Sequence, residues 1–335
     1  MNKKIKFFNL NIKHPFGGFN INGQSAAEFW LNSNRAPIFF GADSVEQALS
    51  GNFSGGLTTK QKNEVLRFLK INEEMDAKKY DAHIVTIDSG FVWIYRLIGK
   101  PKNGEKVQFK RSNQSNTVES IDLPKYFDIE LLSCEEEPSP FPISKVPYVL
   151  ASMKSNPAFS RSTFAEIGRN EKYSGNLAAI QFLTGQWQDG FVVDPLDCLS
   201  SVEFETLLAK LFEDKGCFVP AYKGGFLRDI DFFATVPSDF KMSGMAKPAG
   251  EIISVQVKLK ISDVKEQKNL SEWLEKSALH YLISLDSACH PFLKKYADSG
   301  NYLTREWVRE SILKSRATSE WFERSTKWLP KQSMK

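Results

Sequence analysis

No apolar run in this chain approaches the roughly 18 residues that signal a membrane-spanning helix, so no span is expected. The opening Met-Asn-Lys-Lys-Ile-Lys-Phe-Phe starts like a signal peptide. Asn9, Asn11, Lys13 and His14 then interrupt any apolar core, so no cleaved leader is expected. The four cysteines, Cys134, Cys198, Cys217 and Cys289, are widely scattered, and no C-x-x-C or Cys/His pair has zinc-binding spacing. Cys289-His290 is adjacent and isolated and reads as structural. A reducing cytoplasm is the expected compartment. The chain lacks G-x-x-x-x-G-K-[ST], which removes a P-loop NTPase, and G-x-S-x-G, which removes a hydrolase elbow. Gly51, Gly55 and Gly56 do not make a phosphate-binding fingerprint. No internal repeat is present.

What is present is the composition of a folded soluble α/β protein, 41% hydrophobic and 25% charged. A length of 335 residues favours two or three domains. The net charge of +4 suits a nucleic-acid partner without demanding one. Glu135-Glu136-Glu137-Pro138-Ser139-Pro140-Phe141-Pro142 is acidic and proline-rich, resists helix and sheet alike, and marks the clearest boundary. The expected division is therefore an N-terminal recognition domain at 1–134, a linker and helical connector at 135–195, and a third region at 196–335 ending in a basic helical tail.

The most informative stretch runs from Ser201 to Lys260. Apolar residues at 204, 207, 208, 211 and 212 have helical spacing, with Ser200 or Ser201 as cap and Gly216 as terminator. Gly224-Gly225 marks a turn, and Ile230 to Val236 reads as a strand. In Ile252 to Ile261, Ile253, Val255, Val257 and Leu259 share one face of a strand. Ser254, Gln256, Lys258 and Lys260 share the other. An acid on a helix, an acid entering a strand and a Gln-x-Lys on a second strand can gather around one divalent metal. Hard oxygen ligands hold Mg²⁺, the metal activates water, and a lysine adds fixed positive charge beside a phosphate. Asp231 is the best direct ligand, because burying it without a partner is costly. Lys258 is the candidate catalytic cation, Gln256 can ligate or orient, and Glu205 restores negative charge. Asp229 and Glu203 are auxiliary candidates. The competing reading makes Gln256 and Lys258 polar residues on the wet face of an amphipathic strand.

Leu199-Ser200-Ser201-Val202-Glu203-Phe204-Glu205, Gly216, Gly224-Gly225, Ile230-Asp231 and Val255-Gln256-Val257-Lys258 together resemble the Mrr-like branch of the PD-(D/E)xK nuclease superfamily. Members carry a helix Glu, a strand Asp and Q-x-K in place of the commoner E-x-K. The resemblance covers Leu196 to Ile261. It implies a restriction-endonuclease-like C-terminal domain, and the N-terminal part reads as a separate small α+β domain. It also implies Mg²⁺- or Mn²⁺-dependent DNA cleavage by Asp231, Gln256, Lys258 and Glu205, with restriction or anti-phage defence as the natural role.

In the N-terminal part, Ala36 to Gly41 reads as a strand, Thr58 to Leu69 as a helix and His83 to Ile98 as a hairpin broken near Asp88-Ser89-Gly90. Val107–Arg111 and Tyr126–Leu132 add strands, giving a small curved sheet or barrel. That layout loosely resembles the EVE and YTH type of modified-base reader. Trp30, Phe39, Phe40, Trp93 and Tyr95 are then candidates for a base-stacking cage, against the alternative that strand aromatics are core. In the connector, Asn176 to Gly185 reads as a helix closed by Gly185. Leu270 to Leu285 reads as a helix, with a change to strand near Ile283 as an option. Leu303 to Leu329 reads as a basic amphipathic tail in which Arg305, Arg309 and Lys314 are candidate DNA contacts. The expected partner is DNA, modified or not, with a homodimer or a defence-complex partner as options. The alternatives to a nuclease are a non-cleaving nucleic-acid-binding module and a defence-complex adaptor.

Overall fold

The computed structural model describes residues 4–331 apart from 13–18, 22, 40–43, 54–56, 106, 112–117, 122–123, 134–138, 169–172, 189, 221–229, 238–240, 243–244 and 247–249. The fold is mixed α/β, and the chain forms two compact units, Met1–Phe191 and Val192–Lys335. No helix among the described residues is long and apolar enough to cross a membrane.

In the first unit a curled sheet runs in the order Phe164–Glu166, Lys4–Leu10, Tyr80–Asp88, Phe91–Asn103, Lys125–Leu131, Arg35–Ile38. Lys4–Leu10 and Tyr80–Asp88 are parallel; their neighbours are antiparallel. Ser89 and Gly90 both take positive φ in the two-residue turn of the 80–103 hairpin, the geometry that matches strand twist. A register shift between Ile98 and Lys102 bends the long strand. Phe19–Ile21, Gln24–Ser25, Val107–Arg111 and Val118–Ile121 form a second antiparallel sheet. Thr58 and Gln61 make a reciprocal capping box at the start of Thr59–Leu69. That helix seats Val65, Phe68 and Leu69 on a sheet face built from Phe8, Ile84, Tyr95 and Phe127.

The stretch read as a connector is part of this unit. Phe164–Glu166 pairs with Lys4–Leu10, and Phe164 stacks on Phe8 at 5.0 Å. Ser174–Thr184 is a buried helix closed by Gly185 at φ 65°. The compact unit therefore extends past the proline-rich stretch to Phe191. The base-cage expectation is corrected here: Trp30, Phe39, Trp93 and Tyr95 are all buried. Tyr95 spends its hydroxyl on Thr86 at 2.9 Å, and Trp30 packs edge-on to Phe39 at 6.4 Å. A buried ring has no face to offer a base. Phe40 lies outside the described residues.

The second unit is a four-stranded sheet between helices. Phe232–Thr235 is antiparallel to Ile252–Lys258. His280–Ser284 and Tyr302–Leu303 then follow in parallel. Ser200 and Glu203 cap Ser201–Asp214 reciprocally. That helix buries Phe204, Leu207, Leu208, Leu211 and Phe212 against Phe232, Ile253, Val255, Val257 and Ile283. Val264–Glu275 crosses between the two central parallel strands, and its Leu270, Trp273 and Leu274 pack with Leu282 and Tyr302 on the other face. The expected 270–285 helix is thus corrected to its option, a change to strand near Ile283. Helix ends at Glu275, and His280–Ser284 is a central strand. The tail is two helices, Arg305–Lys314 and Arg316–Thr326, preceded by the short strand Tyr302–Leu303.

Candidate metal and phosphate site

Strand Ile252–Lys258 positions the site. Alternation along it sends Ile253, Val255 and Val257 under the Ser201–Asp214 helix and Ser254, Gln256 and Lys258 to the opposite face. That second face is covered, not wet. Ser254 is 8% exposed and Gln256 4%. His280, in register with Ser254, stacks on Trp273 at 4.4 Å and bonds the Trp273 carbonyl through Nδ1 at 2.8 Å. The wet-face reading of Gln256 is therefore corrected by its burial.

Gln256 Oε1 is buried and has no hydrogen-bond partner among the described residues. Next to it the ladder ends at Asp231. The Asp231 N–H donates to the Val255 carbonyl at 2.9 Å, and Asp231 Oδ2 accepts from the Val257 N–H at 2.6 Å. The carboxylate is thus fixed against the two residues that flank Gln256. Lys258, two residues on and on the Gln256 face, is partly exposed and stands 3.6 Å from Glu266 Oε1. Glu266 Oε2 accepts from Ser262 N and Oγ, each at 2.7 Å. The Ser262 hydrogen bonds and the Lys258 charge outweigh burial and hold the Glu266 carboxyl below its ordinary value.

Glu203 is the partner in the capping box, accepting the Ser200 N–H at 2.8 Å, and burial pushes its carboxyl up. Glu205 is half-buried on the helix that covers the 253/255/257 face, the layer opposite to Gln256. Among the described residues no group of three or more His, Cys, Asp or Glu is placed to hold a metal. Asp229 lies outside the described residues. The strand end carries the Asp231 carboxylate against the Val257 N–H, the buried Gln256 amide oxygen without a partner among the described residues, and, two residues on, the Lys258 ammonium. Hard oxygens of this kind suit Mg²⁺ or Mn²⁺, and a bound cation would give the orphaned Gln256 oxygen its missing partner.

The tail basic residues have structural partners. Arg305 donates through Nε to the Leu285 carbonyl at 2.7 Å and pairs with Asp194 and Asp197 through its two terminal nitrogens. Arg309 also pairs with Asp194, and exposed Lys314 sits 3.3 Å from Glu310. This commits Arg305 to holding the tail on the 194–198 turn, in place of the expected phosphate contact. Sequence reasoning missed Glu266. Its signal was Asp263-x-x-Glu266, an N-cap and N3 acid that places a helix start there; Asp263 does accept the Glu266 N–H at 2.8 Å.

Comparison with family models, curated proteins and solved structures finds no match to this chain.

Proposed function

We propose that the Val192–Lys335 unit is a divalent-cation-dependent phosphodiesterase acting on DNA, an endonuclease of the restriction type. The observation that carries the reading is the unpartnered, buried Gln256 oxygen, on the strand whose Val257 N–H holds the Asp231 carboxylate and whose last residue is Lys258. A polar atom left unsatisfied inside a sheet is destabilising and needs a partner, which a cation or a water supplies. Asp231 and Gln256 would hold the cation. When bound, it supplies charge neutralisation and a water activated for attack on the scissile phosphate. Lys258 faces an incoming phosphate with a fixed positive charge, which stabilises the added negative charge at transfer. The Val257 N–H keeps the Asp231 carboxylate in one orientation, so the anion is in place before substrate arrives.

The test is nicking of supercoiled plasmid, modified and unmodified, with Mg²⁺ or Mn²⁺. Asp231→Ala and Lys258→Ala should each lose cleavage. Asp231→Ala should still bind DNA, because removing an acid lessens repulsion of phosphate. Wild-type cleavage by Asp231→Ala would end this reading. A single carboxylate at the strand end, with no group of three His, Cys, Asp or Glu placed to hold a metal among the described residues, favours a second reading, a non-cleaving nucleic-acid-binding module. Salt-dependent DNA binding without metal-stimulated nicking in the wild-type protein would select it.

A further inference from the structure

Lys258 ends its strand with four rotatable side-chain bonds, and the acid facing it comes from the next element. Glu266 lies in the first turn of Val264–Glu275. One of its oxygens is tied to Ser262 by two hydrogen bonds, and the other stands 3.6 Å from the Lys258 ammonium. The Glu266 N–H is in turn held by Asp263. The loop, the helix start and the lysine therefore form one connected unit. The carboxylate is anchored independently of Lys258, so it can restrict the ammonium. At 3.6 Å the pair is loose enough for a phosphate oxygen to compete for it.

We propose that Glu266 is a positioning residue for Lys258, holding the ammonium on the Gln256 side of the strand end until a DNA phosphate takes it over. This rests on the nuclease reading of the site. The geometry separates it from a purely structural role. The Ser262 hydrogen bonds need only an acceptor oxygen, whereas the lysine contact needs the negative charge. Glu266→Gln keeps the first and removes the second.

Three measurements on the full chain decide it. Carboxyl ¹³C titration of glutamate-labelled protein should place the Glu266 pKa below the ordinary value, and Lys258→Met should raise it. No movement in Lys258→Met would overturn the pairing whatever the enzyme does. Plasmid nicking by Glu266→Gln should show kcat reduced about ten- to a hundredfold, as expected for a misplaced catalytic group. KM should be unchanged or lower, because a negative charge near the phosphate has gone. Glu266→Asp should recover part of the rate, and the melting temperature of Glu266→Gln should match wild type. If Glu266→Gln cuts at wild-type rate or faster while Asp231→Ala is dead, Glu266 is not a positioning residue and the nuclease reading stands. If Asp231→Ala itself cuts normally, both readings fall together, and that outcome is distinct from the first.

Discussion

A buried carbonyl oxygen without a donor costs about 1–3 kcal/mol, and Gln256 carries that cost in a central strand. Its neighbours suggest no structural return. Ser254 and Leu282 lie on the same face, and no described residue there donates to the oxygen. Replacing Gln256 with methionine keeps the length of the side chain and removes the amide. The expected result is a gain of about 1 kcal/mol in unfolding free energy, with cleavage lost. Activity and stability would then trade against each other at one position, as they do where a fold maintains an unfavourable group for a ligand. Urea denaturation beside a nicking assay reads both. A methionine variant that is less stable than wild type would mean the oxygen is already satisfied in solution, and the candidate site would lose its main support.

At the scale of elements, one carboxylate fixes the start of the last helix. Asp214, the last residue of the Ser201–Asp214 helix, accepts from Thr318 N at 3.0 Å, from Thr318 Oγ1 at 2.6 Å and from the Ser315 hydroxyl. It thereby caps the start of Arg316–Thr326 from outside. Against some burial, these hydrogen bonds hold its carboxyl below the ordinary value of 3.8. A depressed folded-state pKa gives stability that is present above pH 3.8 and is lost as pH falls through the lower folded value. Asp214→Ala should weaken tail docking by about 1 kcal/mol. Hydrogen exchange should then rise first at 316–326. Uniform protection across that helix in Asp214→Ala would show that Trp321 and Phe322 packing alone holds it. The same element shows how much the sequence discloses. Ser201–Asp214 is legible because its caps and apolar spacing are all local. The hairpin at Asp88-Ser89-Gly90 is legible for the same reason. The covered face of Ile252–Lys258 is not, since the burial of Ser254 and Gln256 depends on what packs on that face from beyond the strand. Nor is the end of that helix, where the apolar run through Leu279 and Leu282 continues into a strand with no glycine or proline between. Gln256 and Lys258 are legible as sharing one strand face because alternation puts polar residues at 256 and 258, and Asp231 is legible as the acid that enters an apolar strand. Glu266 could not be paired with Lys258, because that contact depends on the course of the 259–263 loop. The aromatic set in the first unit fails for the opposite reason. Composition reports rings and says nothing of whether their faces are covered.

At the scale of the whole chain, the proline-rich stretch at 135–142 looks like a domain boundary and is not one. Beyond it the chain returns to the first sheet. The Asn11 side chain donates to the Phe159 carbonyl and, at 2.5 Å, to that of Ser162. The Thr163 N–H donates to Glu64 at 2.7 Å, Arg67 pairs with Glu166, and the Phe164 ring lies between Phe8 and Phe68. Cutting the chain at 134 removes an edge strand, leaving one side of Lys4–Leu10 unpaired and its phenylalanines uncovered. An exposed edge with apolar side chains favours aggregation. Loss of a buried Phe164 alone would cost about 3–5 kcal/mol by analogy with truncation to alanine, a large part of what a domain of this size has. The fragment 1–191 should therefore melt cooperatively and stay monodisperse, and 1–134 should not fold. The fragment 192–335, which contains every described residue of the candidate site, should fold by itself and keep Asp231-dependent nicking if the nuclease reading is right. Circular dichroism melts of the three fragments test the division directly. A cooperative transition in 1–134 equal to that of 1–191 would restore the boundary to the proline-rich stretch. In that case the strand Phe164–Glu166 would count as a dispensable addition to the sheet.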